Sequence, residues 1–231
     1  MKKSILLSAI ILLITVSTTY ALTLGSVTSS WNDPTGPGIY TVNYYGQNTS
    51  SSQVRYGDPA TNSGQSGLGF ASASTPSVFD INEAFLVGTL THFNNPTYSG
   101  SEIDSIDLRL VLTFTDPAGL VGDYEFDFGI NNTTNSYYPD TNPWNNDIIT
   151  FENAYATSTM EIDGTLYTLQ LLGFGDTSEN LISELSSVET LTNSANLWAR
   201  VTTPAPVPEP ATMLLLGTGL IGLAGFRRKA K

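Results

Sequence analysis

The chain has 231 residues, 40% of them hydrophobic and 13% charged, with nine basic side chains, 21 acidic ones and no cysteine. The lack of cysteine excludes disulfides, thiol nucleophiles and thiolate metal sites. Six of the basic residues fall in the two terminal segments, so residues 22–207 hold three arginines (Arg55, Arg109, Arg200) against 20 carboxylates, a formal charge of −17 that repels nucleic acid and anionic lipid and attracts divalent cations.

Lys2 and Lys3 open the chain, an apolar run follows over 5–16, and Thr19 and Ala21 flank Tyr20. A basic start, a short apolar core and small residues at the −3 and −1 positions predict a secretory signal peptide over 1–21, cut after Ala21. The apolar run is too short for a first membrane anchor. Residues 22–203 then read as one domain, long enough to bury a sizeable core.

Short runs of period two dominate that domain and predict half-buried strands. The first is 27–31, ended by the turn-forming Asn32-Asp33-Pro34-Thr35-Gly36-Pro37-Gly38. Strands are expected at 39–45 and 53–56 around a polar turn, at 68–73 after a loop over 58–67, and at 84–93, which Asn94-Asn95-Pro96 breaks. Over 103–114 the residues Ile106, Leu108, Leu110, Leu112 and Phe114 share one face, opposite Asp107, Arg109, Val111 and Thr113. After a turn at 116–119, the run 122–130 alternates Asp123, Glu125 and Asp127 with Tyr124, Phe126 and Phe128. A short strand is expected at 147–152, and strands 157–162 and 165–173 flank Asp163-Gly164, a hairpin signal. A weak helical spacing of Leu181, Leu185 and Val188 marks 180–191, and 196–203 is the last strand before a Pro-rich linker. About ten strands of this kind predict an all-β, antiparallel β-sandwich of jelly-roll type.

Four features bear on chemistry. His92 is the single histidine, at a strand end where a hydrogen bond to backbone would pin the turn. A Ser-His-Asp site would require it, yet Ser and Asp are so abundant that the match points nowhere without geometry. Asp123, Glu125 and Asp127 line one strand face, where carboxylates repel unless solvated or bridged by a cation. A solvated face is the expectation, with a Ca²⁺ held by these three acids, helped by Asp116, as the alternative, since calcium takes six to eight oxygens. The long loop 131–146 carries Tyr137, Tyr138 and Trp144 among Asn, Thr and Pro, a composition suited to stacking on sugar rings, or to folding back as a cap. A carboxylate pair for glycoside hydrolysis depends on spacing in space, and no pair stands out. The chain is therefore read as non-catalytic, with a carbohydrate-active enzyme as the alternative.

The stretch Phe85-Leu86-Val87-Gly88-Thr89-Leu90-Thr91-His92-Phe93-Asn94-Asn95-Pro96, followed by Gly100 and 103–114, resembles the choice-of-anchor K domain through its Gly–x–x–Thr-His–x–Asn pattern. Asn193-Ser194-Ala195-Asn196-Leu197 and Ala199-Arg200-Val201 are similar to it as well. The resemblance covers most of 53–203. It implies a secreted β-rich domain without an established molecular activity, and it carries over no catalytic residue.

The tail has three parts in order: Pro208-Glu209-Pro210 within the linker 204–210, an uncharged apolar run of 16 residues over 211–226, and Arg227-Arg228-Lys229 within the basic end 227–231. As a helix the run covers about 24 Å. That falls short of a bilayer core of about 30 Å, a gap that snorkelling cations and local thinning close. The cations keep the basic end cytoplasmic. This order resembles the PEP-CTERM sorting signal. The resemblance implies processing by an exosortase near the Pro-Glu-Pro motif, in a Gram-negative bacterium that makes exopolysaccharide. The expected function is that of a secreted surface or matrix protein with a structural or glycan-binding role in the biofilm layer. The expected partners are the exosortase, an exopolysaccharide or surface glycan and, transiently, the inner membrane. A calcium-stabilised adhesive domain, a carbohydrate-active enzyme and a plain tail-anchored protein are the alternatives.

Overall fold

A computed structural model describes residues 20–133, 135 and 142–204. Residues 1–19, Tyr137, Tyr138, the Pro-Glu-Pro motif, the run 211–226 and the basic end lie outside the described residues. In chain order the strands are β1 (Ala21–Thr35), β2 (Asn43–Tyr45), β3 (Ser51–Tyr56), β4 (Ser66–Ser72), β5 (Ser77–Asp80), β6 (Phe85–Phe93), β7 (Ser105–Asp116), β8 (Val121–Asn131), β9 (Asp147–Phe151), β10 (Met160–Ile162), β11 (Thr165–Phe174), β12 (Glu184–Ser187) and β13 (Thr192–Thr202). They form two antiparallel sheets, one of six strands in the order β12-β9-β8-β7-β1-β5 and one of seven in the order β10-β11-β13-β6-β4-β3-β2.

Period-two burial decides which face of each sheet turns inward. On β7, Ile106, Leu108, Leu110, Leu112 and Phe114 are buried, and on β8 Tyr124, Phe126, Phe128 and Ile130 join them. The seven-stranded sheet supplies Val54, Tyr56, Leu68, Phe70, Leu90, Leu169, Leu171, Leu197 and Val201 to the same cluster. Full burial of one such side chain stabilises the fold by about 1.5–3 kcal/mol. Aromatic pairs lock one sheet to the other: Phe79 of β5 stacks on Phe85 of β6 at 3.9 Å, and Phe151 of β9 meets Phe174 of β11 at 5.8 Å. Two sheets with one shared core make the expected β-sandwich. The chain crosses from sheet to sheet and back at β4 to β5 to β6 and at β11 to β12 to β13, whereas β7-β8-β9 is a meander within one sheet.

The first strand is three times longer than expected, because a bulge hides its period. Leu22 and Leu24 face inward, then Val27 and Trp31 do, so the parity changes at Gly25. The register skips there, from Leu24↔Phe114 to Ser26↔Thr113. A Cβ on Gly25 would come within 2.7 Å of Thr115 Cγ2, so glycine fits the bulge. The expected strand over 39–45 is instead a 3-10 turn, Ile39–Thr41, followed by the short edge strand β2. The helical spacing over 180–191 is overruled: Glu184–Ser187 pairs with β9 as β12, because the free edge of β9 offers backbone partners and Leu185 alone is needed inward. The Asp163-Gly164 hairpin is present, with φ values of 48° and 78° at its two turn residues, the geometry of a type I′ turn. Among the described residues no helix is long and apolar enough to cross a membrane.

The two ends of the sandwich differ. At one end the carbonyl of Tyr20 accepts from the N–H of Ile81 at 3.1 Å, and that of Val201 accepts from the N–H of Asn82 at 2.8 Å. The strands nearest both termini are therefore tied to two consecutive residues. At the other end the connecting segments bond to one another, through Gly38 N–H to Glu102 C=O (2.8 Å), Tyr98 N–H to Asp58 C=O (2.9 Å) and Ala60 N–H to Pro96 C=O (3.0 Å).

Candidate functional site

Loops gathered at that second end enclose a cleft of about 580 Å³. Thr97, Ser99 and Glu102 come from the β6–β7 connection, Asn132, Thr133 and Asn135 from the chain leaving β8, and Trp144 and Asn145 from the turn entering β9. Several are held by local bonding. Asn142 caps the 3-10 turn Pro143–Asn145 by accepting from the N–H of Trp144 at 3.3 Å. Proline at the first turn position needs no partner for a missing N–H. This presents the Trp144 indole to solvent, 86% exposed. Asn135 joins two walls: its Oδ1 accepts from Thr97 N–H at 3.1 Å and its Nδ2 donates to Glu102 Oε1 at 3.3 Å. Glu102 also accepts from Gly100 N–H at 2.8 Å and from the Thr97 hydroxyl at 3.3 Å. Asn132 donates from Nδ2 to the Ile103 carbonyl at 2.8 Å.

Beneath the cleft Asp147 is buried. Its Oδ1 accepts from the Thr133 N–H at 2.7 Å and from the Thr133 hydroxyl at 3.1 Å, while that hydroxyl lies 2.6 Å from the Asn145 carbonyl. The two stems of the loop are thus fastened to one carboxylate. Burial pushes the Asp147 carboxyl up to about 6, with the Glu102 charge adding to the rise and the Thr133 bonds opposing it. The lining offers hydroxyls, amides, one carboxylate and an exposed indole face. Such a set can pair with sugar hydroxyls and pack against the apolar face of a pyranose ring.

Of the expected sugar-contact residues, Trp144 is at the cleft, while Tyr137 and Tyr138 lie outside the described residues. The sequence argument missed Thr97, Ser99 and Glu102. They belong to a connection whose last lining residue, Glu102, lies 29 residues before the aromatic loop in sequence, and tertiary pairing brings the two together.

The acidic strand face regroups. Asp123 is taken by Arg109, which donates from Nε at 2.8 Å and also from Nη2. That guanidinium holds the Asp123 carboxyl below its usual range. Glu125 converges instead with Asp33 and Asp107, their oxygens all within 4.8 Å of one another. Asn32 supplies one donor to Glu125 from Nδ2. Asp127 sits directly opposite Asp107 in the β7–β8 register. Burial, followed by the charges of Glu125, Asp127 and Asp33, pushes Asp107 up to about 6. Of the three acids expected to hold calcium, then, Glu125 alone belongs to the oxygen cluster found among the described residues.

His92 points into the core, fully buried, with Nε2 3.2 Å from the Tyr56 hydroxyl. Burial pulls its pKa down to about 3, so it is neutral in ordinary conditions. The rest of the Gly–x–x–Thr-His–x–Asn pattern is also architectural. Gly88 abuts the Phe70 ring, where a Cβ would come within 2.3 Å of Cζ, and buried Asn94 donates to the Ser187 carbonyl at 3.0 Å.

Comparison with known families bears on the tail. No curated protein matches the chain. Residues 206–229 match the PEP-CTERM protein-sorting motif, which implies processing by exosortase, export and membrane-associated sorting to the cell surface.

Proposed function

We propose that this is an exosortase-sorted surface or matrix protein of a Gram-negative bacterium whose domain binds polysaccharide of the biofilm layer. The carrying observation is the loop-end cleft, where exposed Trp144 stands beside amide and hydroxyl side chains. The ligand class follows from charge. No lysine or arginine is among the described lining residues, Glu102 is, and the domain carries −17, so a neutral glycan suits the site and a polyanion does not. The reading is non-catalytic. Glycoside hydrolysis needs two carboxyl groups flanking the bond, and among the described lining residues Glu102 is the single acid. The resemblance to the choice-of-anchor K domain fits the same picture, since its pattern falls on residues that support the core.

The test is affinity electrophoresis of the processed protein through gels containing polysaccharide extracted from the producing cells. Retardation that the free neutral sugar reverses is the expected result. Unretarded migration, together with normal matrix from cells lacking the protein, would overturn the reading.

A further inference from the structure

The cleft and the attachment point lie at opposite ends of one strand. β13 begins at Thr192, paired with Phe93 at the foot of the β6–β7 connection that lines the cleft. It ends at Thr202, beside the Asn82–Val201 and Ile81–Tyr20 bonds that mark the terminal end. Its 11 residues, at about 3.3 Å each, separate the two ends by about 36 Å. The apolar run of the tail starts at residue 211, so residues 203–210 join it to β13. Eight residues reach at most about 29 Å, less than the strand's own length of about 36 Å, so the tether is too short for the cleft end to lie against the membrane with the terminal end pointing outward. A carboxylate-rich surface with a formal charge of −17 is also repelled by anionic headgroups.

We infer that, while the tail holds the chain at the membrane, the cleft end faces away from the bilayer, so its partner is a polymer met from the outer side and not a lipid of the anchoring membrane. The glycan identity of that partner rests on the reading of the cleft given above; the orientation does not. The short tether thus makes the domain a spacer that displays its loops at the far end.

The chain has no native cysteine, so single-cysteine labels are unambiguous. Tyr98→Cys, at an exposed position beside the cleft but outside its lining, reports the cleft end. Ala118→Cys reports the terminal end, where Ala118 lies in the β7–β8 turn near Tyr20. Full-length protein carrying a fluorophore at either position is reconstituted in vesicles of phosphatidylethanolamine and phosphatidylglycerol doped with a headgroup-nitroxide lipid. Several-fold stronger quenching at 118 than at 98 is expected; equal quenching, or stronger quenching at 98, would overturn the orientation. Polysaccharide extracted from the producing cells is then added, with iodide as aqueous quencher. Protection at 98 and not at 118 is expected for a partner met from outside. If no protection develops while the lipid result stands, the glycan reading of the cleft fails and the orientation survives.

Discussion

Thr133 meets Asp147 twice at one atom: its N–H donates to Oδ1 at 2.7 Å, and its hydroxyl, whose single proton is shared between the Asn145 carbonyl at 2.6 Å and Oδ1 at 3.1 Å, lies against the same oxygen. The acceptor is buried and its carboxyl is pushed up to about 6, so part of the population is protonated in mildly acidic media. Asparagine keeps an Oδ1 in the same place and removes the charge. A group with a raised folded pKa costs stability above that pKa, and the cost vanishes below the unfolded value of about 4. Asp147→Asn is therefore expected to melt higher than wild type at pH 7, with the advantage shrinking between about pH 6 and pH 4. Asp147→Ala leaves the Thr133 N–H without its acceptor and should cost about 1–3 kcal/mol. Melting curves of both variants across that range check this, and a constant offset for Asp147→Asn would contradict it.

The outer face of the six-stranded sheet makes a related prediction by a different route. Asp107 faces Asp127 across the strands and converges with Asp33 and Glu125. Like charges directly opposite each other destabilise a sheet by roughly 0.2–1 kcal/mol. Asp107→Asn should raise the melting temperature at pH 7 in low salt. The gain should fade in high salt through screening, and below about pH 6, where Asp107 itself takes up a proton. A lower melting temperature in low salt at pH 7 would show that the cluster is not repulsive.

Gly88 tests whether the pattern at 88–94 is architectural. A Cβ there would lie 2.3 Å from Phe70 Cζ and 2.5 Å from the Ala71 carbonyl oxygen. Overpacking of a tight core costs about 1–3 kcal/mol. Gly88→Ala should lower stability by that amount and, in protein that still folds, leave polysaccharide retardation unchanged. Loss of retardation at full stability would instead place Gly88 in the binding surface.

How much of this was legible in sequence follows the physics of each signal. β7 and β8 could be read almost to the residue, because one face is buried and the other wet over eight or more positions, which gives an unbroken period of two. β1 was read only from Val27 to Trp31, because the bulge at Gly25 resets the period. β5 offers a single inward residue, Phe79, in four, too little for any period. β12 is hidden behind the weak helical spacing of Leu181, Leu185 and Val188, while the edge of β9 that decides the matter is invisible in the local sequence. For the site, Trp144 was legible as an aromatic in a long polar loop. Glu102 was not, since its role depends on Asn135 reaching across from another connection.

Trp144 gives the sharpest separation of binding from folding. At 86% exposure its side chain contributes little to the core, and surface substitutions of this kind usually stay within about 0.5 kcal/mol. Its indole is nevertheless the one aromatic ring among the described lining residues of the cleft, held in place by the Asn142 cap and the Thr133–Asn145 bond. Trp144→Ala should therefore melt with wild type yet bind the extracted polysaccharide about tenfold more weakly, a loss of about 1.4 kcal/mol. Trp144→Phe, which keeps a smaller aromatic face, should fall between the two. The order wild type, Phe, Ala in affinity, at constant stability, is what stacking on a sugar ring demands. Equal affinity across the three proteins would move the binding surface away from the cleft.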